Sequence, residues 1–336
     1  MEIPTLPAFP TRSRRDALAA LTALAGATVA PRASAQADAY PSRPIRFVVG
    51  YPPGGSVDAT ARILAEPFGQ AIGASIVVEN QGGAAGVVAA QRVVGSPPDG
   101  YTLLVGSSNE LVGTGVVNPA QKYDARRDLT PIGLIGIGPS LLVAGPRTGV
   151  RTLAQFVDTV KSNPGKFSYG SSGVGSTLHF IGELIKYRSG LFIVHIPYRG
   201  VAPLASDLLG GVMEFAIMSP AGAAPFLKDG RLFALGVSSA SRLPSLPQVP
   251  TFGEHPALKG AELDGWMALV GPKGLPQPVL ERLRGALVGS LKQPATRRRY
   301  EDIGMIASGE RDDLAKRIDA DVALYNKLAE FAKMRD

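Results

Sequence analysis

Cysteine is absent from all 336 residues. That excludes disulfides, thiolate metal sites, a cysteine nucleophile and a lipid anchor on cysteine. Histidine is scarce. Only His179, His195 and His255 occur, far apart and without metal-site spacing. Neither a metal nor a cofactor is expected. The G-x-x-x-x-G-K-[ST] phosphate loop, the G-x-G-x-x-G fingerprint and the G-x-S-x-G nucleophile elbow are missing. There is no fixed-period repeat and no low-complexity segment. Beyond the N-terminus no segment is long and apolar enough to span a bilayer. Nucleic acid is not an expected partner, because the basic residues are scattered. Their one dense cluster, Arg297-Arg298-Arg299, follows Pro294 on a predicted helix and reads as a solvated face.

What is present is a globular composition, 45% hydrophobic and 19% charged, with a formal net charge of +7. A modest positive field favours anionic ligands. Residues 1–37 read as an export signal: a basic start at Arg12, Arg14 and Arg15, an apolar stretch from Ala17 to Ala30, then Ala33-Ser34-Ala35 and Ala35-Gln36-Ala37 as cleavage motifs. Ser13-Arg14-Arg15 fits twin-arginine export, though ordinary Sec signals carry such pairs too. The mature protein is expected to be soluble, monomeric and periplasmic.

Strand-like and helix-like runs alternate. Strands are predicted at 45–50, 75–79 and 102–106, with helices at 56–70 and 84–94. This βαβαβ order implies a parallel sheet with helical crossovers. The apolar run 132–144 contains a strand that leaves this sheet. A second unit follows, with strands at 167–169, 192–196, 212–217 and 232–238 and helices at 152–161, 176–188, 202–209 and 221–228. Residues 266–271 form another strand, and the tail from Pro276 is helical and expected to cover the first unit. The chain would cross between units near Leu142–Pro146 and again near Gly265–Leu269. The expected architecture is α/β, two domains with a double crossover: lobe 1 from 38–142 plus 267–336, lobe 2 from 143–266. Ligands in such a clamshell sit in the cleft, at the carboxyl ends of strands.

The strand-to-helix turns carry the chemistry. In "VVGYPPGGSVDATAR", Pro52 and Pro53 stop a strand, Gly54 and Gly55 bare the backbone, and Ser56 is the expected N-cap of a helix. Free N–H groups of a first helical turn attract anions. Tyr51 stands beside this turn. The third strand runs into Gly106-Ser107-Ser108-Asn109. In the second unit "GSSGVGSTLH" supplies Ser171, Ser172, Gly175, Ser176, Thr177 and His179. Asp58 and Arg62 have the i,i+4 spacing of a helix-surface pair. His179 fits a structural histidine as readily as a ligand contact. In "YRG", Arg199 can reach an anion from between Tyr198 and Gly200, and Asp207 can orient that loop. A competing expectation is a secreted serine hydrolase, with Ser172 or Ser176, His179 and Asp207 meeting in space.

The blocks "YPSRPIRFVVGYPPGGSVDATAR", "VENQGGAAG", "PPDGYTLLVGS", "YGSSGVGSTLHFIGELI", "HIPYRGVAPLASDLLGG" and "LPSLPQVPTFGE" occur in this order along the chain. In order and spacing they resemble the tripartite tricarboxylate transporter substrate-binding proteins, the Bug or TctC family. The resemblance implies an extracytoplasmic two-lobed periplasmic binding protein of type II-like form, with no catalytic activity. It implies capture of a small organic acid, often a di- or tricarboxylate, for delivery to the membrane components of a tripartite transporter or to a sensor. It also implies that the turns at Gly54–Ser56 and Ser171–Ser176 grip a carboxylate. One stretch departs from the family pattern: "FAIMSPAGAAPFL" is neutral where an acidic residue is common, so the distal side of the ligand stays open.

Overall fold

A computed structural model describes residues 40–118, 121–198, 200–308 and 313–335. The expected export signal and Arg199 lie outside the described residues.

β1 (Ile45–Val49) is buried at four of its five positions, as an interior parallel strand should be. α1 (Ser56–Ile72) leads to β2 (Ile76–Asn80), and α2 (Val87–Val94) leads to β3 (Thr102–Ser107). β1 pairs in parallel with β2, Ile45 opposite Ile76, and with β3, Phe47 opposite Leu103. α1 ends on Gly73, whose φ of 82° lets its N–H return to the Gly69 carbonyl at 2.9 Å. The predicted helix 84–94 is in fact a 3-10 turn, Ala84–Gly86, followed by α2. The backbone bends there because it must pass very close to its neighbours. A Cβ on Gly86 would lie 2.8 Å from Glu110 Cδ, and one on Gly50 would lie 2.5 Å from Gly86 Cα.

The long apolar run divides into β4 (Leu129–Gly138) and β5 (Leu141–Ala144), which belong to different sheets. The first passage therefore lies at Pro139-Ser140, ahead of the expected Leu142–Pro146. Proline lacks an N–H for the ladder, and it marks the break that an unbroken apolar run conceals. In the second unit α3 (Leu153–Ser162) precedes β6 (Ser168–Ser171). Then α4 (Thr177–Ser189), β7 (Val194–Pro197), α5 (Val201–Gly210), β8 (Phe215–Met218), α6 (Pro220–Lys228) and β9 (Phe233–Val237) alternate. β6 is parallel to both β7 and β8, while β5 runs antiparallel to β8 and β9. The five-stranded order is β7-β6-β8-β5-β9.

β10 (Gly265–Pro272) returns to the first sheet, lying antiparallel between β3 and β4. Leu263 N–H still bonds to Ser238 O in the second unit, so the chain changes sheets at Asp264. α7 (Gln277–Leu291) and α8 (Pro294–Asp302) cover α1, through Arg282 Nη2 to Ile72 O and Tyr300 Oη to Thr60 O. β11 (Ile306–Ala307) completes the six-stranded order β11-β4-β10-β3-β1-β2. α9 (Leu314–Phe331) reaches both units. Its Asp321 accepts a 2.5 Å bond from Trp266 Nε1 of β10, and its Tyr325 stacks on Phe180 of α4 at 4.0 Å. The tail thus covers the first unit as expected and also clasps the second. Among the described residues no helix is long and apolar enough to cross a membrane.

Candidate functional site

The first turn leaves β1 through Pro52 and Pro53 with its backbone exposed. Gly54 takes φ +85°, a conformation that favours glycine, while Gly55 is extended at φ −76°. Gly55, not Ser56, is the N-cap of α1, and Ser56 is the first helical residue without a side-chain cap. Asp58 does the closing that Ser56 was expected to do. Its Oδ2 accepts Gly54 N–H at 2.9 Å, Asn80 Nδ2 donates to its Oδ1 at 2.8 Å, and Arg62 Nε donates at 3.0 Å. Asp58 is 2% exposed, so the pair with Arg62 is no surface ornament. Burial alone would raise its pKa. The bonds from Arg62, Gly54 and Asn80 outweigh burial and hold the carboxyl below its ordinary range. Its oxygens are committed to the turn. The N–H groups of Ser56, Val57 and Asp58 have no intrahelical acceptor.

A second cluster closes the carboxyl end of β3. Glu110 lies in a π-helical turn, Asn109–Gly113, and is wholly buried. It accepts from Ser107 N at 2.7 Å, Ser107 Oγ at 2.5 Å and Tyr51 Oη at 2.8 Å. Burial pushes its pKa up, and these donors only partly offset that. Burial, and then the Glu110 charge, also raises the Tyr51 phenol. Tyr51 Oη accepts in turn from Asn109 Nδ2 at 3.2 Å.

In the second lobe the end of β6 enters a turn with Gly173 at φ +126° and Gly175 at φ +77°. Ser176 is the N-cap of α4, which starts one residue later than predicted. Its Oγ accepts His179 N–H at 3.2 Å and donates to Gly173 O at 2.7 Å. Ser172 is partly exposed and Val174 exposed, whereas Ser171 is fully buried. Thr177 joins the lobes. Its N–H donates to Asn109 Oδ1 at 2.9 Å, and its Oγ1 lies 2.8 Å from Ser108 Oγ. The approach is close: a Cβ on Gly113 would stand 2.4 Å from Gly175 O. A chain of bonds therefore runs from Asp58 through Asn80, Tyr51 and Asn109 to Thr177.

Tyr198 N–H bonds to Ser171 O at 2.9 Å, and its Oη donates to Asp207 Oδ2 at 2.8 Å. Burial and then that bond push the Tyr198 phenol up to about 12. Gly200, at φ +111°, is the N-cap of α5. The triad of Ser172 or Ser176 with His179 and Asp207 does not assemble. Asp207 is engaged by Tyr198, and Ser176 meets the backbone N–H of His179 rather than its ring. His179 Nδ1 accepts from Gly175 N at 3.3 Å. The serine and imidazole that do meet are Ser171 and His195, at 2.7 Å. That serine has no exposed face.

Sequence reasoning passed over Glu110 and Asn80, and it named Asn109 in its turn and His195 among the histidines without giving either a role. Asn109 ends the "GSSN" turn and Glu110 stands at i+3 from Ser107, which is a local signal. Asn80 and His195 carried none, because their partners are on other elements far away in sequence.

Two α/β lobes joined by two passages, with glycine-rich turns at the carboxyl ends of their parallel strands, define a two-lobed periplasmic binding protein of clamshell form. Residues 60–331 match the model of the tripartite tricarboxylate transporter family receptor. The "UPF0065 protein in tcbD-tcbE intergenic region" of Pseudomonas sp. (strain P51) is 36% identical over 316 residues, 94% of this chain and 93% of that protein. R. palustris Rpa4515, solved with adipate, superposes with a TM-score of 0.78 at 30% identity, covering 88% of this chain and 98% of that one. MatC (Rpa3494) from Rhodopseudomonas palustris, solved with bound malate, gives 0.74 at 28% identity over 86% and 99%. The chain belongs to the tripartite tricarboxylate transporter receptor family, whose members are periplasmic solute-binding proteins.

Proposed function

We propose that this chain captures a small organic acid, a di- or tricarboxylate, in the cleft between its lobes and delivers it to the membrane components of a tripartite tricarboxylate-type transporter. One observation carries the reading. Two glycine-rich turns, one in each lobe, stand at the amino ends of α1 and α4, which are 17 and 13 residues long. Helix amino ends bear partial positive charge and N–H groups without intrahelical acceptors, which suits a carboxylate. The turns at Gly54–Ser56 and Ser171–Ser176 are the proposed grips, with Tyr51, Ser107, Ser108, Thr177, Tyr198 and Gly200 around them. Adipate and malate in the two R. palustris relatives support the ligand class. The positive charge of the chain supports it too.

Calorimetry and thermal melting against malate, adipate and citrate test this. At least one acid is expected to bind saturably and to raise the melting temperature. Ligand at a hundredfold excess over Kd adds about 2.7 kcal/mol to stability. A flat response across a broad carboxylate panel, beside a response to an uncharged or cationic solute, would sink the reading.

A further inference from the structure

Behind the second-lobe turn, the rings of His179 and His195 stack with centroids 3.7 Å apart and planes 12° apart. The charged and titratable groups facing them are Glu183 and Lys186 on α4 and Tyr169 on β6. Glu183 Oε1 is 3.7 Å from His179 Nε2, but that carboxylate already pairs with Lys186 Nζ at 2.8 Å and accepts from Tyr169 Oη at 2.8 Å. Lys186 thus offsets the negative charge that faces His179 Nε2. Burial, followed by the His195 and Lys186 charges, holds His179 down to about 3. Burial and Lys186 hold His195 down to about 4. Both rings are neutral at pH 7.

Each ring aims a nitrogen at the turn. Gly175 N–H donates to His179 Nδ1 at 3.3 Å, so the neutral ring carries its proton on Nε2. His195 Nε2 is 2.7 Å from Ser171 Oγ, and that oxygen accepts Gly173 N–H at 3.2 Å. The two left-handed glycines of the turn are therefore each tied to an imidazole, one directly and one through a serine.

We infer that His179 and His195 are positioning residues: as a stacked neutral pair they hold the backbone of the Ser171–Ser176 turn in the shape that receives the ligand. The inference deepens the proposed function and rests on that turn being a carboxylate grip. Protonation of His179 would place an N–H against the Gly175 N–H, donor to donor, and would put a cation against the second ring.

His179→Phe and His195→Phe keep a flat ring and lose the nitrogens. His179→Asn and His195→Gln return a polar atom near Nδ1 and Nε2. With malate and adipate at pH 7.5, each Phe variant is expected to bind about tenfold more weakly by calorimetry. The Asn and Gln variants should recover most of that loss, with circular dichroism confirming the fold of all four. Between pH 7.5 and 4 the ratio of wild-type to His195→Phe affinity should begin to shrink, since ligand titration cancels in the ratio and His195, held down to about 4, takes up its proton only in the wild type. Hydrogen exchange at the Gly173 and Gly175 amides, read without ligand, should be faster in the Phe variants alone. If the wild type binds no acid of a broad carboxylate panel, the ligand class is wrong, and the exchange rates still decide whether the rings hold the turn. Phe variants that bind as tightly as wild type, or exchange at the wild-type rate, overturn the inference.

Discussion

Gly55 is the residue at which the carboxylate reading is most exposed to test. Its φ of −76° is open to any side chain, unlike the +85° of Gly54, and an added Cβ would meet only Pro52 O at 3.5 Å. Gly55→Val therefore adds bulk without backbone strain. Its isopropyl group would stand over the first turn of α1, where the anion is proposed to sit. The expected outcome is a folded protein with a modestly lower melting temperature in the absence of ligand, because valine is a poorer N-cap than glycine, and at least a tenfold loss of carboxylate affinity by calorimetry. Unchanged affinity in the folded variant would reduce the turn to a connector. At this scale the sequence was legible in part. Two prolines, two glycines and a serine announced an exposed turn, but not which residue would cap the helix. Gly55 caps it, and Asp58 closes the turn because its carboxylate reaches Gly54, Asn80 and Arg62 together. Asn80 comes from another strand, and no local pattern records that meeting.

Among elements, α4 joins the most parts of the site. Its N-cap Ser176 shapes the turn, its first residue Thr177 bonds across to Asn109, and Phe180 one turn on stacks against Tyr325 of α9. Ser176→Ala removes the bond from His179 N–H and the bond to Gly173 O. Loss of such a cap costs about 0.5–2 kcal/mol. A lower melting temperature and weaker carboxylate binding are expected together, because the same hydroxyl starts the helix and braces the turn. A drop in stability with intact affinity would show that the turn keeps its shape without the cap. The alternation of strands and helices was readable along nearly the whole chain, since burial and period leave their mark in each segment. Two features were not. The run 132–144 is apolar on both sides of Pro139, so hydrophobicity could not separate β4 from β5. The π-helical turn Asn109–Gly113 left no mark in the periodicity, and Glu110 within it is buried against Gly86 and Tyr51, residues far away in sequence.

For the whole molecule, the two passages between lobes are tied to each other. Ser140 N–H in the first donates to Ser238 Oγ at 2.9 Å, and Ser238 Oγ donates to Asp264 Oδ1 in the second at 3.0 Å. Burial raises Asp264 from 3.8 to about 6, with the Ser238 bond and the Arg317 charge only partly opposing it. Holding the carboxylate ionised at pH 7 then costs on the order of 3 kcal/mol. The sign follows from proton counts. Between about pH 4 and 6 the folded protein binds this proton more tightly than the unfolded chain does, so this contribution to stability falls as pH rises through that window. The buried histidines have the opposite sign, since their depressed values make the unfolded chain the better proton acceptor below about pH 6.5. Wild-type melting alone would mix the two trends, and a variant separates them. Asp264→Asn keeps an oxygen for Ser238 and removes the titration. Its melting temperature relative to wild type should climb between pH 4.5 and pH 7.5, because only the wild type pays for ionisation as the pH rises. A difference that stays constant over that range would mean that Asp264 is solvated in the folded protein and that the tie between the passages carries no buried charge.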